Sequence, residues 1–170
     1  MAFHTPEDSI FDQEDRVSPE PGSPATLEAD QGYASAGPYS GGKFYIMHRD
    51  TGKCLTLTGG RLGLESCYSL QGHCLWECVE DRGRLGFRNT ASHTYIGHDG
   101  IDGTMIATAR QHGVFEWINV LPLEAGGFKI MSEYMSAYNP IAVRDDERSV
   151  GQTTGEPSGW DFIRVDPELL

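Results

Sequence analysis

Three tryptophans, Trp76, Trp117 and Trp160, stand 41 and 43 residues apart. Other apolar anchors repeat with them. Phe44-x-Ile46, Leu85-x-Phe87 and Phe128-x-Ile130 share those offsets, and a glycine precedes each pair at Gly42, Gly83 and Gly127. A third anchor follows at Leu55, Ile96 and Ile141. A fourth reads Leu62-Gly63-Leu64, Met105-Ile106-Ala107 and then Val150. Each tryptophan has a β-branched residue three positions later: Val79, Val120 and Ile163. Self-similarity at a fixed period means that one supersecondary unit recurs, and that each copy buries its apolar face against its neighbours.

The unit is a β-unit. Phe44-Tyr45-Ile46 and Leu55-Thr56-Leu57 alternate with the period of a half-buried strand, and turn residues such as Asp50-Thr51-Gly52, Thr58-Gly59-Gly60 and Asp99-Gly100 separate the segments. No stretch repeats its apolar residues with helical spacing over three turns. Four strands per unit also describe a propeller blade, but a propeller takes about four blades or more. Three such units close instead as an all-β, single β-trefoil, a six-stranded barrel capped by three hairpins. The expected domain covers residues 42–166. Three layers should fill its core: Trp76, Trp117 and Trp160; Phe44, Leu85 and Phe128; Leu55, Ile96 and Ile141. On this reading the tryptophans are structural.

Charge sets the N-terminal segment apart. Residues 1–42 hold eight acids and one base, while the rest of the chain holds 17 acids and 12 bases. Low hydrophobicity with high acidic charge cannot offset the entropy of ordering, so residues 1–41 read as a disordered acidic tail and linker. Residues 167–170 read as a short extension. Thr5-Pro6, Ser18-Pro19 and Ser23-Pro24 read as ordinary loop dipeptides, with proline-directed phosphorylation as the alternative. Nucleic acid and anionic membranes demand a basic face, which this chain lacks. No apolar run is long enough for a membrane span. The first residues lack the basic and apolar regions of a secretory signal. A cytoplasmic location with four reduced cysteines is the resulting expectation.

Trp76-Glu77-Cys78-Val79, Gly83-Arg84-Leu85-Gly86-Phe87-Arg88-Asn89 and Tyr95-Ile96-Gly97-His98-Asp99 resemble fungal intracellular proteins with a fascin-like, actin-crosslinking β-trefoil. Ala107-Thr108-Ala109, Phe115-Glu116-Trp117 and Gly126-Gly127-Phe128 extend the resemblance over residues 42–166. It implies a non-catalytic binding or scaffold module with a protein partner, actin among the candidates. One acidic trefoil offers a single face, so a monomer should not bundle filaments. Ricin-type lectin trefoils are the second comparison, and they carry Gln-x-Trp before the final strand. The matching triplets here are Cys74-Leu75-Trp76, Phe115-Glu116-Trp117 and Ser158-Gly159-Trp160, without the glutamine. An atypical glycan- or small-ligand-binding trefoil is therefore the alternative function.

No assembled catalytic set is visible, and no cofactor or metal is expected. Cys54, Cys67, Cys74 and Cys78 lack the paired short spacings of a zinc site, and His73 beside Cys74 does not supply a second pair. His98-Asp99 resembles half of a triad but lacks a nucleophile in context. Asp145-Asp146-Glu147 reads as solvated turn charge. The expected ligand-binding residues are His98, Asp99, Arg110 and His112, which cluster between strand anchors of the second repeat.

Overall fold

The computed structural model describes residues 36–67 and 73–166. The acidic tail and its proline dipeptides, up to residue 35, and the extension at 167–170 lie outside the described residues. The described part contains twelve strands in chain order. They are β1 (Lys43–His48), β2 (Cys54–Thr58), β3 (Arg61–Glu65), β4 (Leu75–Asp81), β5 (Arg84–Asn89) and β6 (Tyr95–His98). Then follow β7 (Met105–Ala109), β8 (Ile118–Pro122), β9 (Phe128–Tyr134), β10 (Ala137–Val143), β11 (Val150–Gln152) and β12 (Trp160–Arg164). A 3-10 turn, Val114–Glu116, precedes β8.

Antiparallel pairing runs β1 to β4, β4 to β5, β5 to β8, β8 to β9, β9 to β12 and β12 back to β1. Six strands thus close a barrel and leave no edge to template a foreign strand. The remaining strands form three hairpins, β2–β3, β6–β7 and β10–β11. These hairpins touch one another through Arg61 opposite Ile106, Gly63 opposite Ser149, and Thr104 opposite Gly151. The protein is a β-trefoil.

The layers follow the expected repeat with one correction. Leu55, Ile96 and Ile141 are equally buried, each 3% exposed. Phe44 is buried, and Leu85 and Phe128 pack against the core while half-buried. The tryptophan layer departs from expectation. Trp76 and Trp160 are fully buried, but Trp117 is half-exposed and outside the core. Pairing supplies the reason. Trp76 lies opposite Phe44 and Trp160 opposite Phe128, whereas Leu85 lies opposite Ile118. Ile118 is 42 residues from each buried tryptophan and takes the third place in the layer. A one-residue step along a strand moves a side chain to the other face, so Trp117 points away from the core.

A further correction concerns the cysteines. Cys54 and Cys67 form a disulfide with Cα atoms 5.6 Å apart, and Cys74 and Cys78 are buried as reduced thiols. This replaces the expectation of four reduced thiols. A sequence separation of 13 does not announce the pair; the hairpin β2–β3 brings Cys54 opposite Glu65 and so near Cys67. Contacts with the barrel also begin upstream of residue 42. The Gly41 amide donates to the Cys78 carbonyl at 2.8 Å, and the Tyr39 ring sits edge-on to Phe44 at 5.5 Å.

Candidate functional site

Beside the displaced Trp117, the surface forms an open groove of about 380 Å³. Three elements build it. The 3-10 turn supplies Val114 and Phe115, the start of β8 is flanked by Trp117, and the β9–β10 hairpin supplies Glu133, Tyr134, Met135 and Ser136. Val114, Phe115 and Met135 are 54%, 46% and 82% exposed. Large apolar side chains this open to water are unusual together in one concavity, and they mark a binding surface. Three other concavities among the described residues, about 290, 200 and 100 Å³, contain one tyrosine, Tyr39, and no tryptophan or phenylalanine.

Polar groups lie at fixed places in the groove. The Arg84 guanidinium stands 5.2 Å from the centroid of the Trp117 ring, a cation–π contact. Arg84 Nε also faces Glu133 Oε2 at 3.1 Å. The Glu133 side chain is 13% exposed and the Arg84 side chain 39%, so the pair is partly withdrawn from water. Arg84 Nε and Glu133 Oε2 are themselves buried and, among the described residues, make no hydrogen bond, so charge alone holds the pair. The groove therefore sets aromatic faces beside a partly buried ion pair.

His98 packs behind two of the lining rings. It is 3% exposed, and its ring is edge-on to Phe115 and to Tyr134, both at 4.9 Å. The Gly100 amide donates to His98 Nδ1 at 3.0 Å, so the proton of the neutral ring lies on Nε2. Nε2 then donates to the Glu133 carbonyl at 3.2 Å. Both ring nitrogens are thus used by the backbone, and His98 supports the two aromatic side chains.

The other expected ligand residues have structural duties or no visible duty. Asp99 Oδ1 accepts the amides of Ile101, Asp102 and Gly103 at 3.0, 3.2 and 3.2 Å, which fixes the β6–β7 turn. His112 stacks on Tyr95 at 5.6 Å and donates from Nε2 to the Leu85 carbonyl at 3.1 Å. Arg110 lies just past β7, is exposed, and does not line the groove. Of the four, His98 alone is in ring contact with residues that line the groove, Phe115 and Tyr134. The acidic run is turn chemistry: Asp146 accepts the Arg148 and Ser149 amides, and these bonds with the Ser149 hydroxyl hold its carboxyl down to about 2.

Glu116 sits beneath the groove at the place equivalent to Cys74 and Ser158, two residues before the layer of Trp76, Ile118 and Trp160. Its Oε2 accepts the Gly113 amide at 3.0 Å. Burial pushes its carboxyl above the usual range; the hydrogen bonds from Gly113 and its own backbone, and the nearby His112 and His98, oppose this.

Sequence reasoning missed Phe115, Trp117, Glu133, Tyr134 and Met135. A signal was present. The offsets of 41 and 43 for tryptophan become 42 and 42 if Ile118 is the core residue.

No protein-family model matches the chain, and no curated protein matches it in sequence. Solved structures do match in fold. The Macrolepiota procera ricin B-like lectin, solved with lactose, has a TM-score of 0.64 at 17% identity, covering 76% of this chain and 100% of that one. The Rhizoctonia solani agglutinin gives 0.60 at 16%, with coverage of 76% and 100%. The designed threefold-symmetric protein ThreeFoil gives 0.62 at 17%, with coverage of 72% and 99%. At these identities the likeness shows the β-trefoil fold alone, and it does not extend to a fascin-like identity.

Proposed function

We propose that this β-trefoil is a glycan-binding module and that the groove around Trp117 is its site. The observation that carries the reading is the export of Trp117 from the core. Its two repeat neighbours, Trp76 and Trp160, are fully buried, while Trp117 lies half-exposed beside Phe115 and Tyr134. A pyranose ring has an apolar face of C–H bonds carrying slight positive charge, which suits the negative face of an aromatic ring. Its hydroxyls need fixed donors and acceptors, which Arg84 and Glu133 hold in a partly dry setting. The groove's volume of about 380 Å³ suits one or two sugar rings rather than a long protein helix.

The lectins among the structural neighbours support this reading through their fold. The actin-linked reading rests on sequence resemblance alone, and an acidic domain approaching acidic filaments meets like charge. The Cys54–Cys67 bond fits an oxidising environment better than a reduced cytosol.

A glycan array followed by titration with the best binder tests the proposal. Trp117 is the most exposed tryptophan, so its emission should change on binding. Trp117→Ala should abolish the array signal and leave a folded domain.

A further inference from the structure

The β9–β10 hairpin turns on two residues, Met135 and Ser136, between the paired Tyr134 and Ala137. Their φ angles are 47° and 65°. A two-residue loop with both residues left-handed is a type I′ turn, which favours Asn-Gly or Gly-Gly because a Cβ is strained there. The same chain follows that preference in its other two-residue hairpins. Gly59-Gly60 joins β2 to β3, and Arg82-Gly83 joins β4 to β5, all four with positive φ. Met135-Ser136 has a Cβ at both positions and glycine at neither.

Core packing does not compensate this turn, because the Met135 side chain is 82% exposed. Left-handed backbone at non-glycine residues persists where the surroundings hold it and where the side chain has a use. Met135 rims the groove with Val114 and Phe115. These three exposed apolar groups share the groove with Trp117 and Glu133, and Arg84 stands against the Trp117 ring. A sugar seated on Trp117 would turn its outer substituent toward the rim. A hydroxyl there would lose water without gaining a partner, whereas a methyl would be accommodated. The thioether of methionine is flexible and polarizable, which suits closure over a small apolar group.

We propose that Met135 determines specificity by closing over the bound sugar and selecting sugars that carry a methyl group, such as acetamido or deoxy sugars. The inference rests on the glycan reading of the groove. The test uses the intact chain on matched glycans: N-acetylglucosamine against glucose oligomers, and 6-deoxygalactose against galactose. The wild type should favour the methyl-bearing member by about tenfold. The double substitution Met135→Asn, Ser136→Gly should raise the melting temperature by about 3–6 °C and remove that preference. Absence of any binding by the wild type overturns both the glycan reading and this inference. Binding without preference, or a preference retained in the turn variant, overturns this inference alone. A lower melting temperature in the variant overturns the argument from a strained turn.

Discussion

Replacing each tryptophan by phenylalanine separates the three sites, which look equivalent in the repeat. Trp76 and Trp160 are both fully buried, but their indole nitrogens differ. Trp76 Nε1 donates to the Leu55 carbonyl at 2.9 Å, whereas Trp160 Nε1 is buried without a partner among the described residues. Trp→Phe removes about 40 Å³ of side chain, which at about 24 cal/mol per Å³ of cavity costs ~1 kcal/mol. At Trp76 the Leu55 carbonyl is also orphaned, which adds about 1–3 kcal/mol. Trp76→Phe should therefore cost about 2–4 kcal/mol. Trp160→Phe should cost ~1 kcal/mol or less, because a buried orphan donor leaves with the indole. Trp117→Phe should fall within about 0.5 kcal/mol of wild type, as a surface change that weakens one cation–π contact. Urea unfolding at one temperature, followed by far-ultraviolet circular dichroism, measures all three. A loss at Trp117 as large as at Trp76 would refute the register that turns Trp117 outward and Ile118 inward, and equal losses at Trp76 and Trp160 would refute the difference assigned to their indole nitrogens.

Thiol titration of the unfolded, unreduced protein should find two thiols, and the folded protein should react slowly, because burial pushes Cys78 up to about 12 and also raises Cys74. Reducing the Cys54–Cys67 bond, whose residues are 13 apart, should lower stability by about 3 kcal/mol. Glu116 has its carboxyl raised above 4.5, so the folded chain holds that proton more tightly than the unfolded chain. Its contribution is most favourable below pH 4.5 and is lost as pH rises through the folded value. Glu116→Gln should remove that decline in unfolding free energy between pH 4 and neutrality, and an unchanged pH profile would count against the assignment. Tyr39→Ala should cost about 1 kcal/mol in a urea melt, since the ring packs edge-on against Phe44 at 5.5 Å and under Arg164 at 5.8 Å.

The barrel is legible in the sequence because its signal is periodic. Leu55, Ile96 and Ile141 recur at strand spacing, and all three reach the core. The site is less legible because it departs from the period. Trp117 looks like a core residue by its type, and the pairing of Leu85 with Ile118 shows which neighbour faces inward. A β-strand side chain changes face with every residue, so a repeat aligned one position off still preserves the pattern of residue types. Phe115, Tyr134 and Arg84 meet through tertiary closure of the barrel, which no local window contains. His98 reads from the sequence as a ligand contact and is instead a support for two of the groove's rings. Tyr39 reads as part of a flexible linker because glycine and serine surround it, yet one aromatic contact is enough to set it against Phe44.

The most direct measurement is fluorescence titration of the wild type, Trp117→Phe and Trp160→Phe with the strongest ligand from a glycan array. The account predicts saturable binding by the wild type and by Trp160→Phe, each with an emission change. It also predicts that the change disappears in Trp117→Phe, with affinity reduced by about tenfold or more, since stacking on an indole exceeds that on a phenyl ring. An emission change that survives in Trp117→Phe at full affinity would contradict the assignment of the groove as the binding site.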